Sequence, residues 1–369
     1  MKNTRRWIAL LLALVLALAL AACGAPTNEP GAPAEDPAAP TEEVQEPAAP
    51  EAEWPRTITD LAGNTLELEA PVTGVVGTHN PTMNLAIVLG GGGKYITGFG
   101  NKEMADELYS YVFPELANDV PQIGKGKNIN YETVLSLEPQ LAILPERFAY
   151  MVEEFGDVGV PAVVVLSSTE SFESIQDSLL LMGSILGEDA RAAEIVDMMQ
   201  SIEDDVVSAT AGVADADKPS VMFLGSSSML SVATDSMIQT EIMEKAGAVN
   251  AVTGLTVYGS FADVSAEDVV GWNPDIIWVP NYADYTVEDV LNDPMFASIT
   301  AVKNGDVYYF PSALEPWDYP TASCVLGLAW AASVLHPDLY SQDQLMAAAD
   351  DFYSLVYGQT FTAEQLGLA

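Results

Sequence analysis

Positive charge is scarce in this chain. Against 53 Asp and Glu it has only 13 Lys and Arg, a formal net charge of −40. Three of those 13 fall within residues 1–22, so the remainder carries 10 against 53, or −43. Such a surface repels phosphate backbones and anionic lipid headgroups, which argues against nucleic-acid binding. Cysteine is equally sparse. Cys23 and Cys324 are the only two, too few for a disulfide framework or a Cys-based zinc site. There are two histidines, His79 and His336, and a site for bare zinc or manganese ordinarily needs several. No metal site is therefore expected, and no cofactor. Long apolar runs are missing as well, apart from Trp7–Ala22, which is shorter than the roughly 20 residues a membrane span requires.

That run follows Lys2, Arg5 and Arg6 and ends in Leu20-Ala21-Ala22-Cys23-Gly24, the build of a secretory signal segment. The ending resembles the lipobox of bacterial lipoproteins, which implies lipidation of Cys23 and an extracytoplasmic protein anchored to the cell membrane. Residues 23–54 then read as a lipidated Cys and an acidic tether. Within 24–54 there are seven prolines, eight acidic residues and no basic one, a composition that cannot bury a core. About 315 residues remain, more than one core usually organises. Cys324 lies in an apolar run and reads as core.

In the remainder, short apolar strands alternate with helical patterns. A hairpin over 56–70 leads to strands at 72–77, 95–99, 140–144 and 162–166. After Lys218-Pro219 come strands at 220–224, 275–279 and 306–310. This alternation predicts an α/β chain with mostly parallel sheets. An internal echo sharpens it. Tyr131-Glu132-Thr133-Val134-Leu135 through Pro139 and Pro145 matches Ala266-Glu267-Asp268-Val269-Val270 through Pro274 and Pro280, at a constant offset of 135 residues. Two lobes built from one unit are expected, at 55–187 and 213–369. The segment 188–212 between them has helical spacing and no Gly or Pro before Gly212. The expected architecture is two Rossmann-like lobes joined by this single long helix, with a ligand cleft between them.

With these motifs, together with Ala301-Val302-Lys303-Asn304-Gly305-Asp306 and Glu315-Pro316-Trp317-Asp318-Tyr319, the chain resembles the substrate-binding proteins of ABC importers for iron–siderophore complexes, haem and cobalamin. The resemblance covers about residues 56–360. It implies a binding protein rather than an enzyme. The ligand would be a metal chelate, haem or corrinoid, and the partner an ABC permease met by a monomer. It further implies that Glu132 and Glu267, one per lobe, dock on that permease. A small oxyanion such as molybdate is an alternative ligand within the same fold, and an orphan surface-binding lipoprotein without an importer is an alternative function.

Ligands in such sheets bind beyond the C-terminal ends of the strands. That places His79 and Asn80 after the first lobe strand, Asn101 and Lys102 after the second, and Arg147 and Phe148 after Pro145. Lys125 precedes the first echo helix. In the other lobe the same rule selects Tyr258, Tyr282, Trp317 and Asp318. Rare cations near a cleft suggest an anionic ligand group, and arginine holds one bidentately. The aromatic side chains are candidates for stacking on a planar ligand. Gly90–Gly93 with Lys94 is not a phosphate loop, because Tyr95 stands where Ser or Thr is required. Gly225-Ser226-Ser227-Ser228 is not a nucleophile elbow.

Overall fold

The computed structural model of the chain describes residues 53–368 apart from 105, 256–259 and 312. Cys23, the signal segment, most of the tether and Tyr258 lie outside the described residues. Among those described, no helix is long and apolar enough to cross a membrane.

The hairpin forms as its alternation predicts: β1 (Arg56–Thr59) pairs antiparallel with β2 (Thr65–Leu68). Asp60 fixes the turn by accepting from the Ala62 and Asn64 amides at 3.0 and 2.7 Å. Its other oxygen accepts from the Val164 amide, which fastens the hairpin to the sheet behind it.

The first sheet has the order β4-β3-β7-β8 and is parallel throughout. Its strands are β3 (Val75–Gly77), β4 (Ile96–Phe99), β7 (Leu141–Pro145) and β8 (Ala162–Leu166); the short β5 (Gly124–Lys125) and β6 (Asn128–Ile129) pair separately. All five residues of β7 are buried, the near-continuous apolar run of a strand covered on both faces. The second sheet centres on β9 (Ser220–Gly225), β13 (Ile276–Pro280) and β14 (Val307–Phe310), again parallel. β11 (Val249–Asn250) lies parallel to β9 as β4 lies beside β3. Two antiparallel strands extend this sheet, β10 (Ser228–Val232) and β12 (Ala262–Asp263). Sequence patterning missed β10, because Gly225-Ser226-Ser227-Ser228 has a loop's composition while it serves as the turn of a hairpin.

The echo recurs in local geometry at the same offset. Asn130 caps its helix by accepting from the Thr133 amide, and Ser265 does so from Asp268. Val134 and Val269 are both fully buried. Each helix ends through a left-handed residue before proline, Glu138 at φ 48° and Asn273 at φ 47°, which stops helix propagation and turns the chain into β7 or β13. Gln140 accepts from the Thr73 and Gly74 amides, and Asp275 accepts from Ser220.

Between the sheets in sequence run two helices, Phe172–Leu186 and Asp189–Thr210. The latter spans 22 residues, about 33 Å at 1.5 Å per residue. Its stripe of Ala192, Ile195, Met199, Ile202 and Val206 is buried at helical spacing. It packs against Phe172–Leu186 and against the helices Ile238–Lys245, Cys324–Leu335 and Gln342–Tyr357. Cys324 is buried in this core.

Candidate functional site

The parallel strands of the first sheet all end on one side, and their following residues converge there. β3 leads into His79, which is the N-cap of the helix Asn80–Gly90. The loop expected here is shorter than its proline suggests. Pro81 sits in the first helical turn, where its missing N–H costs nothing, so Asn80 belongs to the helix. β4 leads to Asn101, held at φ 55° with its amide nitrogen donating to the Thr78 carbonyl at 3.0 Å. β7 leads into a single helical turn carrying Arg147, and β8 into Glu170. The second half contributes Gln239 from the start of Ile238–Lys245, Ser260 and Phe261 before β12, and Asp318, Tyr319 and Pro320 after β14. These residues enclose a cavity of about 370 Å³ with walls from both halves. A larger one, about 530 Å³, lies beside Leu108–Val112 and is lined from the first half alone.

The cavity is polar in a specific way. His79 Nδ1, Asn101 Oδ1, Gln239 Oε1 and Asp318 Oδ1 are buried atoms without a hydrogen-bond partner, and all four residues line it. Arg147 stands exposed at its rim with the guanidinium carbon 5.6 Å from the Phe148 ring centre. Among the described residues it forms no ion pair, whereas Lys94, Lys125, Arg56 and Lys245 each do. Burial, with the Arg147 charge adding to it, holds the His79 imidazole well below its usual pKa, so it is neutral near pH 7. The N-terminus of Asn80–Gly90 points the same way electrostatically, favouring an anion.

Acidic groups line the cavity too, Glu170 near enough for the Arg147 charge to act on it. Burial pushes Asp318 up to about 6, with the Tyr282 hydroxyl that donates to it opposing the rise. Burial likewise takes Glu170 up to about 7, and Glu315, behind the cavity, to about 7. Each of these carboxyls binds its proton more tightly folded than unfolded. The stability they contribute is fully present below the unfolded value near 4 and is lost as pH rises through about 6 to 7. His79 runs the other way, its contribution present above about 6.5 and lost as pH falls. Three carboxyls outweigh one imidazole, so the chain should be less stable at pH 8 than at pH 6 by about 2 kcal/mol. Thermal melts at the two pH values check this, with Glu315→Gln flattening the slope; an equal or higher melting temperature at pH 8 contradicts it.

Of the residues selected from sequence, His79, Asn80, Asn101, Arg147 and Asp318 come together on the cavity. Phe148 stands beside it, its ring edge-on to His79 at 6.4 Å. Tyr282 sits behind Asp318 and lines an adjoining cavity of about 370 Å³. The others lie elsewhere. The Lys102 ammonium is committed to the Ala117 and Val120 carbonyls, and Lys125 pairs with Glu103 at the surface. Trp317 is core: 1% exposed, its indole N–H donates to the Tyr353 hydroxyl at 2.9 Å. Its neighbour Asp318 lines the cavity, the two being the central residues of a turn closed by the Tyr319 amide on the Pro316 carbonyl. Glu132 and Glu267 are exposed on their echo helices. Glu170, Gln239 and Phe261 line the cavity without having been selected. Applying the strand-end rule to β8 finds Glu170; Gln239 opens a helix, and no strand end points to it.

Known proteins resemble the chain over most of its length. The molybdate-binding protein MolA of Haemophilus influenzae is 25% identical over 329 residues, covering 83% of this chain and 92% of that one. An uncharacterized ABC transporter substrate-binding lipoprotein of Bacillus subtilis, YvrC, is 23% identical over 354 residues, covering 92% and 99%. Among solved structures, a periplasmic solute binding protein from Veillonella parvula superposes with a TM-score of 0.72 at 23% identity, over 85% of this chain and 96% of that one. Residues 85–314 match the family described as Periplasmic binding protein. Spanning well over half of the chain, that match makes the chain a member of the periplasmic binding protein family, a solute-binding protein of transport rather than an enzyme.

Proposed function

We propose that the protein captures a compact anionic metal chelate of the iron–siderophore kind in the cleft between its sheets and delivers it to the permease of an ABC importer. The observation that carries this reading is Arg147, a guanidinium with no ion pair among the described residues of a chain with 53 acidic residues, beside a neutral His79. An unpaired guanidinium at a cavity mouth suits a carboxylate, catecholate or hydroxamate oxygen. The cavity of about 370 Å³ is near the small end of ligand sites, which run from about 300 to 1,000 Å³, so a compact chelate fits better than haem or a corrinoid. The same volume favours a second reading, a tetrahedral oxyanion such as molybdate, which the related MolA binds. In this reading residues 55–187 and 213–369 are the lobes, 188–212 joins them, Glu132 and Glu267 meet the permease, and Cys23 anchors a monomer to the outer face of the membrane.

Thermal unfolding of the full-length lipoprotein against ferric citrate, a ferric hydroxamate, haem, cobalamin and molybdate tests the ligand class. A ligand at 100 times its dissociation constant adds about 2.7 kcal/mol. A shift with a chelate supports the first reading. A shift with molybdate alone replaces it with the second.

A further inference from the structure

We propose that the ligand of this cleft is dipolar, presenting hydrogen-bond donors to Gln239 and Asp318 as well as an anionic group to Arg147. The inference rests on the capture reading above and narrows its ligand class.

The two side-chain amide donors of the cavity wall are already spent inside the protein. The Gln239 side-chain nitrogen donates to the Asp318 carbonyl at 2.8 Å, and the Asn101 nitrogen to the Thr78 carbonyl at 3.0 Å. Those bonds also settle which way each amide points, leaving Gln239 Oε1 and Asn101 Oδ1 unpartnered. One carboxylate oxygen of Asp318 accepts from Tyr282; the Asp318 N–H and the Gln239 side chain also lie close enough to the carboxyl to lower its pKa, yet Oδ1 receives no hydrogen bond of good geometry. Gln239 is 3% exposed and Asp318 is fully buried, so neither acceptor is easily satisfied by bulk water. A buried acceptor without a partner costs about 1–3 kcal/mol. A ligand bearing ammonium, amide or hydroxyl hydrogens, or amines and waters bound to its metal, removes that cost. A bare oxyanion carries acceptors only: it can satisfy Arg147 while setting its other oxygens against those of Gln239 and Asp318. Sites built to receive a donor reject analogues that lack it far more strongly than apolar pockets reject a misfit.

Calorimetric titration of the full-length protein at pH 7.5 tests this with two probes. Bis(L-histidinato)nickel(II) carries carboxylates together with amine and imidazole N–H donors; molybdate carries oxygens only. The nickel chelate should bind at least 10-fold more tightly. Asp318→Asn, which offers an N–H where the free oxygen was, should weaken the chelate at least 10-fold and leave molybdate unchanged or tighter. Gln239→Met should weaken the chelate in the same direction, which keeps the test open if Asp318→Asn unfolds. Molybdate binding as tight as the chelate's, no binding of the chelate, or equal loss of both probes in both variants overturns the inference. Arg147→Ala separates the two levels. If it weakens both probes while molybdate wins, the cleft stands as an anion site of the second reading and the dipolar ligand falls; if it changes neither, the capture reading itself fails.

Discussion

Replacing Arg147 by alanine should weaken capture of the anionic ligand about 30-fold and leave the fold untouched. A charge-assisted hydrogen bond contributes about 1.5–3 kcal/mol, and about 2 kcal/mol converts to that factor. The free protein loses little, because Arg147 is exposed and forms no ion pair among the described residues. Substitutions of this kind usually stay within about 0.5 kcal/mol of the parent stability. Arg147→Lys should recover part of the affinity, since it restores the charge without the planar fork. Titration calorimetry beside a thermal melt reads both quantities. An unchanged dissociation constant removes Arg147 from the site, and a large drop in melting temperature would show that the side chain serves the fold.

Reversing both echo glutamates, Glu132→Arg with Glu267→Arg, should abolish uptake and leave ligand binding as it was. Both side chains are exposed, and neither forms an ion pair among the described residues. The fold should therefore lose only the modest preference for a carboxylate in a helix's first turn, about 0.3–1 kcal/mol each. If the permease receives these carboxylates, as proposed, two reversed charges would cost several kcal/mol. Transport into vesicles carrying the permease, compared with binding by the purified variant, gives the two readouts. Normal transport by the double variant would eliminate these residues as the docking contacts.

The fold was legible where punctuation and periodicity coincide. Pro139, Pro145, Pro274 and Pro280 bracket the buried strands Leu141–Pro145 and Ile276–Pro280, and the 135-residue echo holds down to matching caps and matching left-handed residues. It was least legible where one residue type serves two purposes. Pro81 reads as a loop and starts a helix; a serine run reads as a loop and turns a hairpin. At the cavity, the strand-end rule selected backbone positions well, which is why short residues near the backbone, His79, Asn101 and Asp318, came together. Charge scarcity was a poorer guide. A lysine's four-carbon stem lets its ammonium find a carbonyl or a carboxylate well away from its own Cα, and Lys102 and Lys125 did so. Trp317 illustrates a different limit: patterning cannot tell which of two neighbours in a turn faces the cavity.

As the proposed docking contacts, Glu132 and Glu267 would let the protein be held without being held permanently. Two like-charged contacts on one body form a bivalent ligand. Exposed ion pairs contribute about 0–1 kcal/mol apiece, but once the first is made the second is governed by effective concentration, in the millimolar range for short connections. Avidity built from two weak halves disappears when the spacing between them changes. A shift of one lobe relative to the other would then release the protein from its partner without breaking any strong bond.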